Sequence, residues 1–422
     1  MIKKLFLIIA LFTIILLLTL FGIMRYQRQP PVISGKALKV GILHSLTGTM
    51  AISETPVVDA TLFAINQINE AGGLLGQKIE PIVVDGKSDW PTFAKEAERL
   101  ITKEKVAVVF GCWTSASIKT VKPVYEKYIS LLIYPVQYEG LEESPYIVYT
   151  GATPNQQIIP GVVWCFQNIG KTFFLVGSDY VFPRTANEII KELVISLQGK
   201  IVGEEYIILG SKDVDHIIEK IKTTQPAVII NTINGDSNIP FFKGLRAANI
   251  TPERIPTMSF SIAEPELQLL DLNSMIGDYA TWNYFQSIDY PENQLFIEQF
   301  KKKYGVNRVI SDPMEAAYFG VHLWAQTVQK LGSFDIVTVR EYIKNQVYNA
   351  PEGVVNIDSS NQHTWKWVRV GKIQSNGQFN IIWDSQKPVP PIPYPTIYRS
   401  KEAWDKFLMH LYTQWQNKWA AP

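Results

Sequence analysis

Cysteine and histidine are scarce in this chain, two and five in 422 residues, and none sits at the short spacings that hold a metal ion. Metal chemistry therefore has no support in the sequence. An excess of charge of one sign is missing too. The 40 basic residues stand against 39 acidic ones, a net charge of +1, with no basic block after the first 28 residues. Nucleic acid has no electrostatic footprint here. No serine lies in a Gly-x-Ser-x-Gly elbow, no cysteine has an evident histidine partner, and the glycines around Gly41 form no phosphate loop. Ser115 and Lys119 could be read as an amidase-like pair, but a lysine one turn along a helix is ordinarily solvent-exposed. No enzyme and no cofactor is expected. Cys112 and Cys165 lie far apart, one in a strand-to-helix turn and one in an apolar helix. They read as two buried free thiols, with a disulfide as the alternative.

What is present begins with a targeting segment. Lys3 and Lys4 precede an uncharged run from Leu5 to Met24, followed by Arg25 and Arg28. About 20 apolar residues suffice to span a bilayer, and no small-x-small cleavage pattern follows the run. An anchor in the cytoplasmic membrane and a cleaved signal peptide (residues 1–28) both fit, the anchor slightly better. Either way the rest of the chain is exported, to a periplasmic or other extracytoplasmic space. Residues 29–37, with Pro30 and Pro31, form a linker. Apolar residues make up 46% of the chain, enough to bury a large core divided into domains.

From Lys39 onward strands and helices alternate. Lys39–Leu43 predicts a strand, Thr55–Glu70 a helix stopped by Gly72 and Gly73, and Lys78–Val84 a second strand. A second series starts after Thr150, with Thr172–Gly177 and Ala227–Thr232 as strands. The pattern predicts α/β architecture with doubly wound, mostly parallel sheets in two lobes and a ligand cleft between them. Lobe 1 is expected to hold residues 38–150 and about 284–350. Lobe 2 takes 151–283 and about 351–395, and residues 396–422 are read as a helical extension. Thr150-Gly151-Ala152 and Trp282-Asn283 are candidate crossings. The most informative junction is the apolar run Val106–Phe110 ending in Gly111-Cys112-Trp113-Thr114-Ser115-Ala116-Ser117. A buried strand feeding a helix N-terminus leaves backbone N–H groups open to a small ligand's oxygen. Ser115 is either the cap of that helix or a ligand-facing residue.

Several long strings resemble the urea-binding proteins of ABC transporters. They are Val40–Glu54, Ser88-Asp89-Trp90-Pro91-Thr92-Phe93, Gly111–Ser117, Tyr134–Gly140, Gly177–Arg184, Asn231–Asn238 and Asp312–Tyr318. The wider relatives are the type I periplasmic binding proteins, including branched-chain amino acid receptors and an amide sensor. The resemblance covers about Leu38 to Pro395 and implies two lobes with three crossings that close on ligand. It also implies urea or a small amide as ligand and ABC permease subunits as partners. A sensory module controlling a regulator is the alternative, and an amide hydrolase a weaker one.

Urea has one carbonyl acceptor and four N–H donors, so a selective pocket needs donors at the oxygen and acceptors around the nitrogens. The resemblance puts Ser115 and Tyr134 in the pocket, with Thr114 beside them. Tyr138 is read as a ring wall or a core aromatic. From the second lobe come Tyr180, whose aromatic the family places in the cleft, and Asn234, Asp236 and Glu264 as nitrogen-side acceptors. Asn234 and Asp236 are alternatively turn formers, and Glu264 a helix cap. Asp179 is read as the cap of a helix beginning near Phe182, and Asp85 and Trp90 as scaffold.

Overall fold

The first sheet consists of β1 (Leu38–His44), β2 (Ile79–Asp85), β3 (Val109–Gly111), β4 (Leu132–Tyr134) and β5 (Ile147–Tyr149). In this computed structural model, which describes residues 35, 37–269, 271–396 and 399–421, the strand order is β2-β1-β3-β4-β5 and every pairing is parallel. The targeting segment, residues 1–28, lies outside the described residues. Strands of a sheet covered on both faces must be apolar throughout. Accordingly Val40, Ile42, Leu43, Val109 and Phe110 are all buried. The helices α1 (Ala51–Glu70), α2 (Trp90–Arg99) and α3 (Ser115–Tyr128) connect these strands.

After the crossing at Thr150 the chain builds a second sheet from β6 (Thr172–Ser178), β7 (Lys200–Ile207), β8 (Val228–Thr232), β9 (Thr257–Ser259) and β10 (Tyr279–Trp282). These five are parallel. Helices α4 (Ile158–Asn168), α5 (Val181–Ser196), α6 (Asp215–Thr224), α7 (Asn238–Ala247) and α8 (Glu264–Leu269) accompany them. The chain then returns. Of α9 (Pro291–Tyr304) and α10 (Asp312–Leu331), the first sets Phe300 edge-on to Phe63 of α1 at 5.5 Å. The second sets Trp324 edge-on to Phe110 of β3 at 5.8 Å. Asp312 fixes this crossing by accepting the N–H groups of Asn283 (2.9 Å) and Tyr284 (2.8 Å).

Beyond α11 (Ile336–Tyr342), the strands β11 (Val347–Ala350), β12 (Gly353–Ile357) and β13 (Thr364–Trp365) make a small antiparallel sheet. The sequence reading put residues 351–365 with the second lobe. They pack on the first instead: Val355 and Ile357 are buried in its core, and Thr364 Oγ1 donates to the Tyr149 carbonyl at 2.9 Å. The next segment does go to the second lobe. There β14 (Arg369–Ile373) pairs antiparallel with β10, and β15 (Phe379–Asp384) with β14. The last helix, α12 (Lys401–Gln414), buries Trp404, Leu408 and Leu411 in the second lobe's core. Both cysteines are free and buried.

Candidate ligand-binding site

The end of β3 is pinned against β1. A Cβ at Gly111 would come within 2.2 Å of the Leu43 carbonyl oxygen, so no larger residue fits there. Cys112 then takes a positive φ of 67° and turns the chain into α3. Thr114, not Ser115, is the cap, its Oγ1 accepting the Ser117 N–H at 3.1 Å. Ser115 is thereby released to the first helical position. The N–H groups of Ser115 and Ala116 have no acceptor among the described residues. These are the orphan donors of a helix start, the groups that hold a small anion or carbonyl oxygen at such junctions.

The Ser115 hydroxyl donates to Glu139, a residue to which the sequence reading assigned no role. Lys119 lies 3.2 Å from Glu139 and 3.1 Å from Glu142. The expected exposure of Lys119 is therefore wrong: it is 6% exposed, because two carboxylates compensate its charge in the interior. Burial by itself would lower the Lys119 pKa, but the charges of Glu142 and Glu139 outweigh it and keep the ammonium ionised. Burial raises the Glu139 carboxyl, while Lys119 and the Ser115 hydroxyl oppose that rise.

A second carboxylate comes from α1. Glu54 is fully buried, and its Oε2 accepts from His44 Nδ1 at 3.0 Å and from the Ser45 N–H at 2.8 Å. Its Oε1 has no partner among the described residues. Tyr180, at the start of α5, brings in the second lobe; it is 1% exposed. No hydrogen bond to its hydroxyl is formed among the described residues. Burial raises its pKa strongly, and the charges of Glu139 and Glu54 add to that rise. Tyr134 donates to the Trp113 carbonyl at 2.6 Å. Its phenol is raised first by burial and then by Glu139 and Tyr180. Glu54, Ser115, Tyr134, Glu139 and Tyr180 thus form one electrostatic neighbourhood, rich in acceptors and without an arginine.

The remaining expected residues make the following contacts. Tyr138 is stacked on Tyr149 at 5.3 Å, and its hydroxyl lies 2.6 Å from His363 Nε2. It is scaffold, since a buried phenol takes whatever polar partner its core offers. Asn234 braces its own loop, its N–H donating to Ser178 Oγ at 3.1 Å and its Nδ2 to the Thr232 carbonyl at 3.2 Å. Asp236 accepts the Thr49 hydroxyl of the first lobe. Glu264 accepts the Gln286 N–H at 2.7 Å beside the return crossing, leaving its Oε2 unpartnered. The carboxylate that meets Ser115 thus comes from the first lobe, Glu139. Asp179 caps no helix either. Its two oxygens pair with Arg184 at 2.8 and 3.0 Å, and α5 starts at Val181 with no side-chain cap. The sequence held one clue to Glu54: a carboxylate on the same apolar helix face as Val57 and Val58, where a charge needs a reason.

The lobes are closed on one another. Besides Thr49 and Asp236, Ser53 Oγ donates to Glu266 at 2.7 Å, and Gln137 Nε2 to the Phe260 carbonyl at 2.9 Å. Burial pushes Glu266 up to about 7 and Glu264 up to about 8. A carboxyl with a raised folded pKa contributes stability that is fully present below its unfolded value, about 4.3, and is lost as pH rises through the folded one. Buried His363 and His322, lowered to about 3 and about 4, act oppositely and cost stability as pH falls below about 6.5. Between about pH 4.3 and 6.5 the two effects oppose one another and above that only the carboxyls' loss remains, so the melting temperature should fall from about pH 6.5 towards about pH 8. Glu266→Gln, which cannot ionise, should flatten part of the alkaline fall. Melts of the two proteins across this range test it, and parallel curves would refute the role given to Glu266.

Two α/β lobes meeting over such a cleft define a recognisable architecture. Residues 38–400 match the family described as "Periplasmic binding protein domain". The chain belongs to that family. It has the type I fold, and it is a solute-binding protein rather than an enzyme. Membership implies an extracytoplasmic location, and among the described residues no helix is long and apolar enough to cross a membrane.

This periplasmic binding protein is 24% identical over 340 residues to the Leu/Ile/Val-binding protein homolog 6 of Brucella melitensis, covering 77% of this chain and 85% of that one. The solute-binding protein of an ABC transporter from Rhodopseudomonas palustris HaA2, solved with p-hydroxybenzoic acid, shares the fold at a TM-score of 0.78 and 22% identity. That match covers 86% of this chain and 100% of the other. A limonene hydroxylase of Geobacillus stearothermophilus is 38% identical over 120 residues, which are 28% of this chain and 22% of that relative.

Proposed function

We propose that this binding protein captures urea, or a close short-chain amide, and delivers it to an ABC permease. The observations that carry the reading are the unpartnered, fully buried Glu54 Oε1 and the unpartnered N–H groups at the start of α3, with Tyr180 under the charge of both Glu54 and Glu139. The Ser115 and Ala116 amides would meet the carbonyl oxygen. Glu54 Oε1 and the lone pairs of Ser115 Oγ would accept the nitrogens' protons, since the Ser115 proton already goes to Glu139. The amides of a helix start also suit the carboxylate of an amino acid or a benzoate, but the buried Glu139 carboxylate that takes the Ser115 hydroxyl disfavours a second negative charge there. Lys119, the lysine beside this site, is shared by two glutamates.

Calorimetric titration with urea, acetamide, formamide, leucine and benzoate tests the proposal. Acetamide replaces one NH₂ by a methyl and strands a buried acceptor at about 1–3 kcal/mol, so urea should bind roughly ten- to a hundredfold tighter. Ser115→Ala should weaken both amides, and leucine and benzoate should give no heat. Leucine or benzoate binding while urea stays silent would overturn the assignment.

A further inference from the structure

After α12 the chain doubles back at Gln416 and Asn417, both in the left-handed region with φ of 55° and 60°. Residues 418–421 then run beside the loop that opens α5. The Trp419 carbonyl accepts the Val181 N–H at 2.9 Å, and the Ala421 N–H donates to the Asp179 carbonyl at 3.0 Å. Tyr180 faces Ala420 in an antiparallel bridge. The segment thus adds a short strand to the very loop that carries Tyr180 to the site. It is rooted in the second lobe: Trp415 is buried with Trp404 in that core, and Arg399 pairs with Glu188 at 2.8 Å.

Its other edge meets the first lobe. The Trp419 ring, held by Tyr412 at 4.5 Å, lies 5.6 Å from Lys119 Nζ. Lys119 holds Glu139, which takes the Ser115 hydroxyl. Around this contact the fit to the first lobe is loose. A groove of about 570 Å³ opens towards Trp90, Pro91 and Thr120, and another of about 360 Å³ towards Lys122 and Glu126. Backbone hydrogen bonds on one side and, on the other, an aromatic–ammonium contact flanked by two grooves describe a part that travels with the second lobe.

We propose that residues 418–421 form a strap that completes the binding site on closure, laying Trp419 over Lys119 and so positioning the Glu139–Ser115 pair. Trp419 is a positioning residue, and its effect on ligand rests on the urea reading above. The contact exists only when the lobes are closed, so it acts on the rate of release.

The test compares the full chain with its Trp419→Ala and Trp419→Phe variants in two readouts. The first is urea release and association by stopped flow. The second is the distance between spin labels at the exposed positions Lys127→Cys and Met409→Cys, one on each lobe, with and without urea. Cation–aromatic contacts of this kind are worth a roughly three- to thirtyfold change in an equilibrium. Trp419→Ala should raise koff by about that factor, leave kon within about twofold, and shift the label distances towards the open form. Trp419→Phe, which keeps an aromatic ring on Tyr412, should restore most of the loss and leave the ligand-free melting temperature unchanged. Equal release rates and equal distance distributions would overturn the strap. If the parent binds no urea, the distances alone decide: a shift upholds the strap while the ligand assignment fails, and no shift overturns it.

Discussion

Glu54→Gln is expected to weaken urea binding about a hundredfold while the fold stays intact. The side chain is fully buried, and Oε2 is engaged by His44 and by the Ser45 amide. Glutamine can keep an oxygen in that position, but it then places an NH₂ group where Oε1 now stands without a partner. A donor would face the donors of the ligand. Losing a hydrogen bond to a charged group and stranding the ligand's N–H costs about 1.5–3 kcal/mol, a factor of roughly 10 to 150 in affinity. Acetamide can turn its methyl towards the altered group and should lose less, so the preference for urea should shrink. Titration of both ligands, with a thermal melt as control, checks this. An unchanged urea affinity would remove Glu54 from the site and with it the main support for the urea reading.

Gly235→Val should abolish closure. Gly235 has a φ of +69°, and a Cβ there would lie 2.8 Å from the Thr49 carbonyl oxygen of the opposite lobe. The left-handed strain, about 1–2 kcal/mol, arises within the second lobe and is present whether the lobes are open or closed. The clash with Thr49 arises only on closure. Overpacking of this kind costs about 1–3 kcal/mol, which lowers the closed population, and the apparent affinity with it, roughly ten- to a hundredfold. In small-angle scattering the parent should contract on adding urea and the variant should not. A variant that contracts like its parent would show that Thr49 and Gly235 do not limit closure.

How much of this was legible beforehand differs from element to element. The strand–helix alternation was, because a strand covered on both faces must be apolar along its whole length, as in Val40–Leu43. The junction at Gly111 was legible too. A glycine followed by hydroxyl residues after a buried strand has few other uses, and the match over residues 38–400 shows the wider periplasmic binding family to which the motif strings pointed through their resemblance to urea-binding proteins. Residues 351–365 were misplaced because their strands are short and apolar on one face only, a pattern that either lobe could cover.

The sequence by itself determined the fold class, the wider family and the strand-to-helix junction at Gly111–Ser117, since each is written in local periodicity or in an uninterrupted string. Only the tertiary structure decided which polar groups serve the ligand and which serve the protein. Asp236 and Glu264 look like ligand acceptors in their own loops, yet the first meets Thr49, 187 positions away, and the second braces the Gln286 amide. Lys119 looks like a surface charge on a helix, yet it is buried between two glutamates. A buried polar group takes its meaning from its partner, and here the partners come from distant parts of the chain that only folding brings into contact.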